Sequence, residues 1–205
     1  MFDFSRKNNI LALAPHTDDI ELGCGATLSR FKESGANIFV VNFSLAPSDP
    51  PERTTEEFKK SMSVLDIEYE MLGMAIRHLP ELRQEILDYL FKLNKRRDFD
   101  IIFCPSSYDN HQDHKTIQDE TFRVFKNKTI LGYEMPWNCR NFSTDFFVSL
   151  EERHLQQKFK MLNFYKSQSH KAFVSKNYVY DIARIRGLYI QKKYAECFEM
   201  IRGVA

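Results

Sequence analysis

Two short segments hold the residue types that hydrolytic metal chemistry needs. They are Pro15-His16-Thr17-Asp18-Asp19 near the start and His111-Gln112-Asp113-His114 in mid-chain. A catalytic zinc takes about three protein ligands from His and Asp/Glu and keeps a further position open for water. His16 and Asp19 lie three residues apart, so one tight turn can point both inward, and His114 would add the third ligand from the second segment. Asp18 is then left beside the metal as a carboxylate able to take a proton from metal-bound water, whose pKa zinc lowers to roughly 7. If a helix begins near residue 111, His111 and His114 share one of its faces. His111 would then hydrogen-bond the developing oxyanion or protonate a leaving nitrogen. Each segment alone also reads as a polar turn or a capped helix start. Both together, each behind a strand-like apolar run, favour a metal site.

For the two segments to meet, the elements before them must be neighbours. Asn9 to Ala14 (NILALA) is an unbroken apolar run, as expected for a strand buried on both faces. A helix is expected over Glu21 to Ser34, stopped by Gly35, and a second strand over Ala36 to Phe43. A Pro-rich loop occupies 46–51, followed by a helix capped at Thr54 or Thr55 and a short strand over Glu68 to Leu72. Pro80 to Arg97 reads as a helix with Leu82, Ile86, Leu90 and Leu93 on one face, and Asp100 to Cys104 as the next buried strand. After the His-rich loop come a helix from Gln112 to about Phe125, strands over Thr129 to Glu134 and Thr144 to Leu150, and helices over Glu151 to Tyr165 and Tyr178 to Ile201. Strands alternating with helices argue a mostly parallel sheet covered on both faces. In the common doubly wound order the first and fourth strands are adjacent and the crevice opens at their carboxyl ends. That order would bring His16–Asp19 and His111–His114 into one cleft.

Composition narrows the class. The chain has 205 residues, expected to form a single α/β domain over 1–205. Lys and Arg number 29 against 28 Asp and Glu, a net charge of +1, which offers no electrostatic case for nucleic acid. The start, Met1-Phe2-Asp3-Phe4-Ser5-Arg6-Lys7, lacks a signal-peptide pattern, and no apolar run suggests a membrane span. Cys24, Cys104, Cys139 and Cys197 are widely spaced, as expected of reduced thiols in a cytoplasmic protein.

The residues His16-Thr17-Asp18-Asp19-Ile20-Glu21-Leu22-Gly23-Cys24-Gly25 and His111-Gln112-Asp113-His114 resemble the two signatures of the PIG-L/LmbE-type zinc-dependent N-deacetylases. Tyr165-Lys166-Ser167-Gln168 resembles that family's Tyr-x-Ser-Gln, and Tyr194-Ala195-Glu196-Cys197-Phe198-Glu199 its closing motif. The resemblance implies a Rossmann-like three-layer sandwich that removes an N-acetyl group from an amino sugar or its conjugate. It implies zinc on His16, Asp19 and His114, Asp18 as base, and His111 as oxyanion stabiliser or acid. It further implies that Asp113 is a carboxylate behind the metal shell orienting His111, and that Arg53 binds substrate. Thr17 and Gln112 stand where the family has prolines and Ile20 where it usually has Glu; none of these removes a ligand. Gly23 and Gly25 lie within the first helix, where close helix–sheet packing explains them better than a dinucleotide fingerprint does.

The expected reaction is therefore hydrolysis of an N-acetylated sugar-like substrate by metal-bound water activated by Asp18. Zinc is the expected cofactor, although iron(II), cobalt and nickel suit the same ligands. Tyr108 and Trp137, in loops near the two segments, could stack on the apolar face of a sugar ring. The rivals are another metal-dependent amide or ester hydrolase, a phosphoester hydrolase and a catalytically silent binding protein of the same fold. No basic cluster adjoins the motifs for a phosphate, and a binder has no use for a base at Asp18. A dinucleotide oxidoreductase fares worst, because two acids in the first turn would repel a pyrophosphate. Whether the chain forms a homo-oligomer is left open.

Overall fold

A computed structural model of the protein describes residues 8–45 and 53–204, the side chain of Arg53 excepted. The expected loop at 46–51 therefore lies outside the described residues. The strands are β1 (Asn9–Ala14), β2 (Asn37–Leu45), β3 (Glu68–Ala75), β4 (Ile101–Pro105), β5 (Thr129–Tyr133), β6 (Phe146–Leu150) and β7 (Tyr194–Arg202). The α-helices are α1 (Asp19–Glu33), α2 (Arg53–Ser63), α3 (Arg83–Arg96), α4 (Gln112–Val124), α5 (Glu152–Leu162) and α6 (Lys176–Leu188). One sheet in the order β3-β2-β1-β4-β5-β7-β6 contains every strand. β1 to β5 run parallel, and β7 runs antiparallel between β5 and β6. The result is a Rossmann-like three-layer α/β fold.

Sidedness follows from the alternation of β1. Ile10, Ala12 and Ala14 face a core built with Leu28 and Phe31 of α1, Phe58 of α2, Leu155 of α5 and Val179 of α6. Leu11 and Leu13 face the opposite core, with Leu90 and Leu93 of α3 and Ile117 of α4. Helices thus cover both faces, which is why β1 carries no polar residue after Asn9. Gly35 ends α1 with φ +84°, its N–H bonding the Lys32 carbonyl while the Ala36 N–H bonds that of Phe31, the paired closure that a left-handed residue permits. Gly23 has a different reason: a Cβ there would lie 2.4 Å from the ring of Tyr133, so only glycine lets α1 settle onto β5.

One element differs from expectation. Tyr178 to Ile201 is not one helix: α6 stops at Leu188, and 194–202 is the strand β7. Gln191 takes a left-handed φ of 54° in the turn between them, and a Cβ on Gly187 would meet the Lys192 carbonyl at 2.5 Å. The strand is enclosed by β5 and β6, and both Glu196 and Glu199 are buried in it. A polar-out pattern that would have marked a strand is therefore missing. Among the described residues, no helix is long and apolar enough to cross a membrane.

Candidate metal centre

The first four strands bring the two segments together. β1 and β4 are hydrogen-bonded neighbours, with Ile10 opposite Ile101 and Ala12 opposite Phe103. Both chains leave the sheet at the same end, one into 15–18 and α1, the other into 106–111 and α4. The first turn is pinned on either side. The Pro15 carbonyl accepts from Ser44 N–H (3.0 Å) and Ser44 Oγ (2.6 Å), and the Thr17 carbonyl accepts from the Tyr165 hydroxyl. His16 N–H donates to Asp19 Oδ2 at 2.7 Å, which curls the turn into α1.

Three donor atoms converge there. His16 Nδ1 lies 3.1 Å from Asp19 Oδ2, His114 Nε2 lies 3.2 Å from the same oxygen, and the two nitrogens are 3.2 Å apart. Ligands about 2.0–2.1 Å from a tetrahedral metal stand about 3.3 Å from one another, so this triangle has the size of one face of such a site. The ring tautomers agree with that use. A carboxylate can only accept, so His16 donates Nε2–H to Asp113 Oδ2 (3.0 Å) and His114 donates Nδ1–H to Asp109 Oδ2 (2.7 Å). Each ring thus turns its other nitrogen toward Asp19, and a metal bound there would take that nitrogen's lone pair in place of a proton. The donor set, its spacing and the carboxylates behind both imidazoles fit a divalent transition metal.

The electrostatics point the same way. Burial opposes charge on His16 and His114, but Asp19, with Asp113 or Asp109 behind each ring, outweighs it and raises them to about 9 and about 10. Burial works against the Asp19 carboxylate as well, yet the two imidazoles hold it well below the usual range. A pocket that attracts protons so strongly attracts other cations too. Asp18 behaves oppositely. Burial and then the Asp19 charge push it up to about 6, against the pull of His16 and Lys171. It stands at the N-cap of α1 without a side-chain capping bond.

His111 completes the cluster in a different posture. Its Nδ1 accepts from Asp113 N–H (3.2 Å) and caps α4, leaving Nε2 to the cleft. Its ring stands edge-on to His16 at 4.8 Å and tilted to His114 at 4.7 Å. Burial and the two neighbouring imidazoles lower its pKa. A set of His16, His111 and His114 nitrogens also falls within 4.8 Å, but the set with Asp19 is tighter.

The expectation that Asp113 orients His111 is not how its carboxylate is used. That group accepts from His16 Nε2, from Arg77 N–H (2.6 Å) and from Leu79 N–H (3.3 Å). The contact between Asp113 and His111 runs from backbone to ring instead. Arg77 adopts a left-handed φ of 68° in the turn after β3, where Arg77 and Leu79 both donate to the acid. The side chain of Arg53 lies outside the described residues. His78 pairs with Glu81 and His154 closes the start of α5 against Glu33, both away from the cluster.

Several residues that hold the site do not stand out in the sequence as site residues. Asp109 orients His114 and also accepts from His111 N–H at 2.8 Å. Glu199, from β7, takes Ser106 Oγ (2.7 Å), Ser107 N–H (2.7 Å) and Ser107 Oγ, and so ties down the loop leading to Asp109. Glu196, three residues earlier and so on the opposite face of β7, accepts from Thr27 N–H (2.7 Å) and Ala26 N–H (3.3 Å) within α1. Lys158 joins it, donating to Glu196 Oε1 (2.7 Å) and to the Leu22 carbonyl (2.6 Å). Glu21 is fully buried, bonded by Ser61 Oγ (2.5 Å) and the Tyr165 hydroxyl (2.6 Å); burial lifts it to about 8 despite those bonds. The Tyr-x-Ser-Gln motif thus works through Tyr165 on the first turn and through Ser167, which bonds Glu57 of α2 at 2.5 and 2.9 Å. The Tyr194–Glu199 motif is legible in the sequence, but the partners of its two acids are not.

This α/β fold, with His and Asp gathered at the carboxyl ends of β1 and β4, defines the class. The chain belongs to the PIG-L family, described as GlcNAc-PI de-N-acetylase, whose model matches residues 11–125. It is 28% identical over 172 residues to an uncharacterized deacetylase, YaiS, of Escherichia coli K12, covering 80% of this chain and 93% of that one. In fold it is similar to the conserved protein TT1542 of Thermus thermophilus, with a TM-score of 0.82, 23% identity, and 97% and 96% of the two chains covered. It is also similar to the N,N'-diacetylchitobiose deacetylase of Pyrococcus horikoshii, with a TM-score of 0.75, 18% identity, and 96% and 84% covered.

Proposed function

We propose that this chain is a zinc-dependent N-deacetylase acting on an N-acetylated amino sugar or sugar conjugate. The observation that carries the reading is the triangle of His16 Nδ1, Asp19 Oδ2 and His114 Nε2, with 3.1–3.2 Å edges, and a half-buried carboxylate, Asp18, next in the chain. His16, Asp19 and His114 hold the metal, and Asp113 and Asp109 keep the two rings in the ligating tautomer. When bound, zinc supplies Lewis-acid polarisation of the acetamide carbonyl and a lowered water pKa.

The remaining chemistry belongs to side chains. Asp18 accepts a proton from the attacking water; a base whose pKa sits near the working pH is most effective. His111 Nε2 faces the same cleft and hydrogen-bonds the carbonyl oxygen as negative charge develops on it. The proton taken up by Asp18 is passed to the departing amine, and acetate leaves. Membership of a de-N-acetylase family and likeness to YaiS support amide hydrolysis as the reaction. The substrate assignment rests on the family description and on the diacetylchitobiose deacetylase sharing the fold.

Acetate release from a panel of N-acetyl-amino sugars, measured before chelation, after it and after zinc is restored, tests the proposal. Release should vanish with the chelator and return with zinc. Bound metal without acetate from any sugar would overturn the reaction; release untouched by chelation would overturn the metal.

A further inference from the structure

Two loops distant in sequence, each linked through a neighbouring residue to the candidate metal centre, meet through aromatic rings. Trp137, 45% exposed, stacks on Phe173 with ring centroids 4.1 Å apart and planes 14° from parallel, and Tyr178 stands at 5.9 Å from the indole. The Trp137 loop is tied to the centre from one side. The Asn138 carbonyl accepts from Asn110 N–H (3.1 Å) and Asn110 Nδ2 (2.9 Å), and Asn138 Nδ2 reaches Asp109 Oδ2 at 3.4 Å, the oxygen that holds His114. The Phe173 segment, a single 3-10 turn over Ala172–Val174, comes near the site from the other side, since the charge of Lys171 just before it acts on Asp18. It follows Tyr165, whose hydroxyl donates to the carbonyl of Thr17, between His16 and Asp18.

An aromatic pair that joins the two halves of a site is commonly packing. This one leaves nearly half of the largest apolar side chain open to solvent, with Phe173 stacked on one face of the indole. A flat, rigid, half-open indole is suited to a partner that is itself flat and apolar on one side. A pyranose offers such a face in its axial C–H bonds, with its hydroxyls left at the edge for polar groups.

We propose that the Trp137–Phe173 ledge receives the apolar face of the substrate's sugar ring and turns its acetamido group toward Asp18 and His111. This rests on the deacetylase reading above and assigns Trp137 as a residue that selects sugars over other N-acetylated amines. Stacking on the ledge is worth little to an acetamide without a ring, so discrimination should appear in KM more than in kcat.

Trp137 is the chain's single tryptophan, so selectively excited indole fluorescence reports the ledge itself. The zinc-loaded Asp18→Asn variant, titrated with N-acetylglucosamine, should show a saturable change in emission that N-acetylethanolamine, an acetamide without a ring, does not produce. Trp137→Ala should raise KM for N-acetylglucosamine about tenfold with a smaller loss of kcat, and Trp137→Phe should recover most of it. Flat emission with the sugar, an equal response to both compounds, or an unchanged KM in Trp137→Ala would each overturn the ledge, including where turnover itself is intact. A sugar-specific fluorescence change without acetate release from the wild type would keep the ledge and remove the deacetylase reading.

Discussion

The two halves of the candidate metal centre are built on different principles. The first half, His16 to Asp19, closes on its own carboxylate through the His16 N–H, and the rest of the chain grips its turn only at backbone carbonyls, through Ser44 and Tyr165. The second half, Asp109 to His114, takes its shape from elsewhere. Glu199 of β7 grips Ser106 and Ser107, Asn138 reaches Asp109, and the turn after β3 supplies two N–H groups to Asp113. The second half also supports the first, because Asp113 orients His16. Ligand types are local in this protein, and ligand orientation is not.

The strongest way to break the comparison is to remove one functional group from each half. His114→Ala should abolish stoichiometric zinc on purification, read by elemental analysis, and activity with it. Asp18→Ala should retain zinc and lose on the order of 10²–10⁴ in turnover. Wild-type turnover in Asp18→Ala would exclude it as the base.

A finer cut separates the acids behind the rings. Asp109→Asn and Asp113→Asn should each weaken zinc affinity by roughly 10–100-fold, measured by competition with a chromophoric chelator. Asp113→Asn strikes His16 although it lies in the other segment, so a loss confined to Asp109→Asn would show that the first half does not depend on the second.

The support from β7 should be felt in stability rather than in chemistry. Lys158 and Glu196 form an ion pair with 3% and 8% side-chain exposure against α1. Lys158→Met, which strands a buried carboxylate, should cost about 3–5 kcal/mol in denaturant unfolding. The double variant Lys158→Met/Glu196→Leu should recover much of that, since a buried pair replaced by apolar groups of similar size is often neutral.

Much of this is legible in the residues alone. NILALA needs burial on both faces, strand–helix alternation implies a mostly parallel sheet, and the common doubly wound order, which the structure adopts here, puts β1 beside β4. The last strand is not legible. Tyr194–Arg202 carries Ala, Glu and Met at spacings a helix would accept, and its two buried acids erase the alternation that a half-exposed strand would show. Asp109 looks like one more polar turn residue, because the imidazole it orients is five positions away on a helix and the loop around it is anchored from the segment after β5 and from β7. Asp113 stands out as a site acid, but its near neighbour His111 is not the ring its carboxylate holds; His16 is, 97 positions away.

The sequence by itself determined which donor atoms exist, the three-residue spacing that lets His16 and Asp19 share a turn, and the strand pattern that buries the turn's base. Those are matters of covalent spacing and hydrophobic periodicity, which act over a few residues. Tertiary structure alone decided which ring nitrogen faces the centre, because a tautomer is chosen by the carboxylate on the far side of the ring. For His16 that carboxylate is Asp113, 97 positions away, and for His114 it is the nearby Asp109, whose loop is steadied by Glu199 of a strand that only the sheet order brings near.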